Sequence, residues 1–193
     1  MTGEELPRPE RVIESRRLYE GQVLNLRLDT VEFANGRRFQ REVVEHGEVV
    51  AVVPLDEAGR VLLVRQYRLP ARQVTLEIPA GGVDPGETVE AAVQRELREE
   101  TGHRAGRLRR LGGFYVSPGY CSEYIHVFLA TELSPSPGTS GPDADEEIVV
   151  ERMPLGQALA LVESEQIRDA KSIIGLLLAA KVHGFTIEPD RGP

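Results

Sequence analysis

The chain has no tryptophan, one cysteine and two methionines, and aromatic residues make up only 5% of its 193 positions. With Cys121 alone, no internal disulfide can form, which fits a reducing compartment. Its neighbours Tyr120, Ser122 and Glu123 offer none of the positive charge that activates a thiol, so Cys121 reads as packed and inert. Basic charge is short: 23 Lys and Arg stand against 31 Asp and Glu, a net charge of −8. Such a balance does not suit non-specific nucleic-acid binding, which runs on basic patches. It also has the wrong sign for a phosphate substrate unless cations mediate. No long apolar run is present; the longest, around Ile173 to Ala180, is interrupted by Gly175, and no membrane span is expected. The opening MTGEELPRPE lacks the basic-then-apolar pattern of a secretion signal. What remains is the expectation of a cytoplasmic enzyme with a substantial core.

What the chain does have is concentrated in GGVDPGETVEAAVQRELREETGH, from Gly81 to His103. Asp84, Pro85 and Gly86 are turn chemistry. From Thr88 the apolar residues Val89, Ala92, Val93 and Leu97 recur at spacings of three and four, which predicts a helix that stops at Gly102. With Val89 set at zero and roughly 100° per residue, Glu96, Glu99 and Glu100 point to about −20°, −80° and 20°, along the edge of the inward stripe. Ala91, Gln94, Arg95 and Arg98 fall on the outer face. Acids gathered there repel one another and crowd the negative end of the helix dipole. Either Arg95, Arg98 and Arg104 pair with them in a solvated network, or the acids are uncompensated and supply the few hard oxygen ligands that a divalent cation needs. Their inward direction, with no basic residue on the same edge, favours the cation. A metal so held polarises phosphoryl oxygens and activates water.

The same stretch resembles the signature of the Nudix hydrolases: a Gly, five residues, Glu, seven residues, Arg-Glu-aliphatic, one residue, Glu-Glu, one residue, Gly. Gly81, Glu87, Arg95, Glu96, Leu97, Glu99, Glu100 and Gly102 fill every position. His103 departs from it, standing where the family usually has a packed aliphatic residue. The resemblance implies that Glu96, Glu99 and Glu100 are metal ligands, with the backbone carbonyl of Ala80 as a further one. It implies two to three Mg²⁺ or Mn²⁺ ions per site, and a loop–helix staple made by Glu87 and Arg95. The reaction it implies is cleavage of a nucleoside diphosphate linked to another moiety.

Further marks resemble the ADP-ribose pyrophosphatase subgroup. Gln66-Tyr67-Arg68 matches its Gln-x-Arg, which makes Arg68 a candidate phosphate contact. Pro118, in Ser-Pro-Gly, lies fifteen residues beyond His103, and Glu123 follows at the subgroup's usual Glu, a candidate for the distal sugar or phosphate environment. Arg65 clamps an anion or belongs to a solvated rim. Glu77, which alternates with Leu76 and Ile78, faces solvent or lines the acidic site. His126, amid apolar residues, is expected to be packed and hydrogen-bonded. The segment SPSPGTSGPDAD, from Ser134 to Asp145, is a lid over substrate or a solvated linker. It leads into Glu146 and Glu147, one of which the subgroup would use to orient or deprotonate the attacking water; spacing does not choose between them.

Periodicity predicts strands at Arg11–Tyr19, Val23–Phe33 and Arg37–His46, with Asn35-Gly36 as the hairpin turn between the last two. Buried strands follow at Glu48–Leu55 and Val61–Val64, then Val74–Ala80, Leu108–Val116, Tyr124–Ala130 and Ile148–Met153. A helix starts at Pro154, and a second runs from Ala170 to Val182, capped by Asp169, stopped by Gly184, with Ile173, Ile174, Leu177 and Leu178 turned inward. The fold expected from the resemblance is an α/β class: a Nudix α/β/α sandwich around a mixed sheet. Residues 1–46 form an N-terminal β extension, which the resemblance makes a homodimer interface and which otherwise is a plain extra sheet on a monomer. Residues 47–185 form the catalytic domain and 186–193 a tail. The expected substrate is ADP-ribose, giving AMP and ribose 5-phosphate. The alternatives are another nucleoside diphosphate sugar such as GDP-mannose, and a module that senses ADP-ribose without cleaving it.

Overall fold

The strand Val49–Pro54 (β4) is buried at every residue, because both of its faces are covered. Val50 and Val52 pack with Phe128, Ala130, Ala92, Val93 and Leu97 on one side. Val49, Ala51 and Val53 pack with Val127, Leu129, Leu176 and Ala179 on the other. Helices on both sides of a sheet are the α/β/α arrangement the sequence leads one to expect. In the computed structural model, residues 9–136 and 147–184 are described. They fall into two units, one of residues 9–47 with Tyr115–Tyr124, the other of Glu48–Phe114 with residues 125–184.

In the first unit, β1 (Arg11–Glu20), β2 (Leu24–Glu32) and β3 (Arg38–His46) form an antiparallel sheet in that order. The Asn35-Gly36 signal makes the β2–β3 turn, where Gly36 takes φ 79° and donates its N–H to Phe33 O at 2.9 Å. This is a three-residue loop with glycine in the left-handed position. The segment Tyr115–Tyr124 pairs with β3: Val44 N–H donates to Tyr120 O at 2.8 Å, and Ser122 N–H to Val44 O at 3.0 Å. Many apolar side chains of this unit are exposed, among them Val12, Leu18, Tyr19, Val23 and Phe39.

In the second unit, β4 lies between β7 (Ala80–Gly82), which is antiparallel to it, and β9 (Tyr124–Pro135), which is parallel; β8 (His103–Tyr115) follows β9. This is the mixed sheet. A second, antiparallel sheet has the order β10 (Val149–Pro154), β5 (Arg60–Arg68), β6 (Gln73–Glu77). Three helices complete the unit: α1 (Val89–Thr101), α2 (Leu155–Glu163) and α3 (Ala170–Val182). None is long and apolar enough to cross a membrane.

Two expectations need correction. β8 starts at His103, directly after α1, and not at Leu108. The inward face of α3 is Ser172, Gly175, Leu176, Ala179 and Ala180, while Leu177 is exposed. The helix sits so close to the sheet that a Cβ on Gly175 would lie 2.7 Å from Ile78 Cδ1. Small residues permit that approach, with Leu176 fully buried beside them and Ile173 packed against the core as expected.

Candidate active site

The helix α1 is fixed at both ends by its own sequence. Thr88 is the N-cap, accepting from Ala91 N–H through Oγ1 at 3.2 Å, and Gly102 closes it in the left-handed region at φ 68°. The preceding turn is stapled to it. Arg95 donates from Nε and Nη2 to the two carboxylate oxygens of Glu87, at 3.2 and 3.0 Å, and from Nη2 to Gly82 O at 2.7 Å. Its hydrogen bonds to Glu87 are the leading reason that the Arg95 guanidinium is held still more firmly in its charged form, while Arg95 in turn pulls the Glu87 carboxyl below the usual range.

Of the three acids that follow, Glu96 and Glu100 lie against the Ala80–Gly81 backbone, and Glu99 is reached by Arg95. Glu100 is buried, with 6% of its surface exposed, and accepts from Ala80 N–H at 3.3 Å. Gly81 lies directly against Glu96, so that any Cβ there would collide with the carboxylate. A side chain at 81 would therefore push the Glu96 carboxylate out of its present place. The expectation that no basic residue shares an edge with these acids is wrong. Arg95 reaches from its position on the wheel to Glu96 Oε1 at 2.5 Å and Glu99 Oε2 at 3.3 Å. The wheel gives the direction of a Cβ, whereas the arginine stem is long enough to carry its charge around to the neighbouring stripe.

Among the described residues, no three His, Cys, Asp or Glu side chains converge as a ready cation-holding group. The donor chemistry nonetheless fits a hard divalent cation. Three carboxylates sit within five residues, and the backbone of Ala80 and Gly81 touches two of them. A cation would take Glu96 and Glu99 over from Arg95, which keeps Glu87 and the Gly82 carbonyl as partners.

The other predicted residues have varied placements. Glu77 does not face solvent. It is 2% exposed and bound by Arg68, Thr75 and Lys171. Burial pushes its carboxyl up, but the Arg68 fork, the Lys171 charge and the donors around it prevail and bring it down to about 2. Arg68 is thus engaged along its Nε–Nη2 edge. Arg65 is paired with Glu151 on β10. Pro118 and Glu123 belong to the first unit. Glu147 is exposed ahead of β10; Glu146 and most of the proposed lid lie outside the described residues. His126 is hydrogen-bonded as expected, to Glu48 at 3.2 Å and Arg110 at 3.3 Å. His103 accepts from Arg152 through Nε2 at 3.3 Å and meets Thr101 O through Nδ1 at 2.7 Å. Sequence reasoning missed Lys171, Thr75 and the Gly82 carbonyl. Nothing local links Lys171 to a glutamate 94 positions away.

The chain belongs to the Nudix hydrolase family. The NUDIX domain matches residues 45–174, and residues 10–44 match the nucleoside diphosphate sugar hydrolase N-terminal domain. Curated relatives include an ADP-ribose pyrophosphatase of Bacillus subtilis (strain 168), 40% identical over 163 residues that cover 84% of this chain and 88% of the relative. A GDP-mannose pyrophosphatase of Citrobacter koseri is 36% identical over 146 residues, covering 71% of this chain and 75% of the relative. A solved structure described as an ADP compounds hydrolase superposes with a TM-score of 0.83 at 26% identity, covering 94% of this chain and all of that one.

Proposed function

We propose that this enzyme hydrolyses the diphosphate of ADP-ribose, giving AMP and ribose 5-phosphate. The observation that carries the reading is the end of α1, where Glu96 and Glu100 meet the Ala80–Gly82 strand, Arg95 reaches Glu99, and Glu87 and Arg95 lock the entering turn. The similarity to the Bacillus subtilis ADP-ribose pyrophosphatase supports the choice of substrate.

In this reading Glu96, Glu99, Glu100 and the Ala80 carbonyl hold two to three Mg²⁺ or Mn²⁺ ions. When bound, such ions polarise phosphoryl oxygens and offset the charge that develops on them. Arg95 keeps the ligand-bearing turn and helix in register through Glu87. Arg68 spends only its Nε–Nη2 edge on Glu77 and offers its Nη1 edge to a phosphate. Glu146 or Glu147 takes the proton of the attacking water. Glu123 and Pro118 shape the distal sugar end. The exposed apolar residues of the β1–β3 sheet support pairing of two copies through it, and the enzyme works in the cytoplasm.

A second reading, another nucleoside diphosphate sugar such as GDP-mannose, is favoured by the match of residues 10–44 and by the Citrobacter koseri relative. A panel of ADP-ribose, GDP-mannose and other sugar nucleotides, with products separated by chromatography, decides between the two. ADP-ribose should show the highest kcat/KM and release AMP. A preference of about tenfold or more for GDP-mannose would overturn the first reading. Saturable binding of ADP-ribose with no turnover in Mg²⁺ or Mn²⁺ would make the chain a sensing module.

A further inference from the structure

Glu77 closes β6 inside a buried polar cluster. Its Oε1 accepts from Arg68 Nε at 3.0 Å and Thr75 Oγ1 at 2.5 Å; its Oε2 accepts from Arg68 Nη2 at 2.8 Å and Lys171 Nζ at 2.5 Å. Each carboxylate oxygen thus has two donors, which fills its lone pairs. Lys171 is also nearly enclosed, with 12% of its side chain exposed, and reaches Asp169 Oδ1 at 3.0 Å. Asp169 caps α3, accepting from Ser172 N–H at 2.9 Å and Ser172 Oγ at 2.5 Å. Ser172 Oγ in turn accepts from Ile78 N–H at 2.8 Å. The end of β6 and the first turn of α3 are therefore clamped together around one carboxylate.

Lys171 is shared between the two acids of the clamp: Asp169, which also takes the donors of the α3 N-terminus, and Glu77, which also takes the Arg68 fork. Two acids thus face two cations. Without Lys171, Arg68 would be the one cation on Glu77 and would be drawn wholly to it, since releasing it would leave an uncompensated buried charge. With Lys171 present, the carboxylate is anchored from a second side and the Arg68 fork is held in a fixed orientation. Arg68 side-chain exposure, at 37%, is what an anion would need. Arg68 is also within electrostatic reach of Glu100 on the acid edge.

We infer that Lys171 is a positioning residue for the diphosphate: by anchoring Glu77 from the α3 side, it fixes the orientation in which the Arg68 guanidinium meets the substrate phosphate. The inference rests on the reading of Arg68 as a phosphate contact.

The experiment is a double-mutant cycle on the full chain, with steady-state ADP-ribose hydrolysis and thermal unfolding measured for Lys171→Met, Arg68→Gln and the pair. Lys171→Met should raise KM by about tenfold and change kcat by less than about threefold. Lys171→Arg should return KM to within about threefold of the parent. The double variant should be no worse than Arg68→Gln alone, because Lys171 acts only through Arg68. If Lys171→Met fails to fold, Lys171→Gln is read in the same way. An Arg68→Gln variant with unaltered KM overturns the phosphate reading and this inference with it. A raised KM in Arg68→Gln with parental KM in Lys171→Met, or additive effects in the pair, overturns this inference alone.

Discussion

Glu77 and Glu96 stand on either side of the same glycine turn, and the fold gives them opposite surroundings. Glu77 is sealed among Arg68, Lys171 and Thr75, with every lone pair used. Glu96 has side-chain exposure of 12%, lies against the Gly81 backbone, and shares one arginine with Glu87 and Glu99. The first acid is held by two cations, one of them shared with Asp169; the second shares Arg95 with its neighbours, and Arg98 comes within 3.9 Å of Glu99. A carboxylate whose oxygens are all taken by buried donors serves stability and orientation. Acids gathered at a helix end against a backbone strand are placed to hand an arginine's place to a cation. The number of acids in the segment does not separate these roles; the enclosure of each acid does.

The comparison breaks most sharply if Glu77 is removed. Glu77→Ala leaves Arg68 and Lys171 without their common partner, and removing one side of a buried pair costs about 3–5 kcal/mol. The midpoint of thermal unfolding should fall by roughly 10 °C. Glu96→Gln should shift it by no more than a few degrees while abolishing most turnover. Equal destabilisation by the two substitutions would erase the distinction.

Acid should act on the same difference with a slightly smaller effect. Glu77 is held at about 2, below its ordinary 4.5. A depressed carboxyl contributes stability that is complete above about pH 5 and is lost as pH falls toward 2. The loss amounts to about 3 kcal/mol. Denaturant unfolding from pH 6 to pH 3 should therefore show a decline that Glu77→Gln flattens. An unchanged pH slope in that variant would mean that Glu77 is not the group responsible.

Much of the frame is readable from local chemistry. Both ends of α1 follow from Thr88 and Gly102, and the start of α3 from Asp169, because caps are short-range devices. The β2–β3 turn follows from Asn35-Gly36. The first part of β8 was not readable, since its run of arginines looks like solvated surface. In α3 bulk does not signal depth: Ser172, Gly175 and Ala179 set how close the helix comes, while Ile173 packs inward and Leu177 is exposed. For the site, helical spacing was enough to turn Glu96 and Glu100 to the same neighbouring backbone. It could not reveal Arg95 folding back over Glu96 and Glu99, which depends on side-chain length, nor Lys171 meeting Glu77 from 94 positions away.

The most direct test of the acid edge is a Mn²⁺ titration followed by electron paramagnetic resonance, on the parent chain, Glu99→Gln, Glu100→Gln and Glu77→Gln. Saturable binding by the parent, weakened by at least about tenfold in Glu99→Gln and Glu100→Gln but retained in Glu77→Gln, is the predicted result. Equal Mn²⁺ affinity in all four would show that the cation is held elsewhere and would contradict the account.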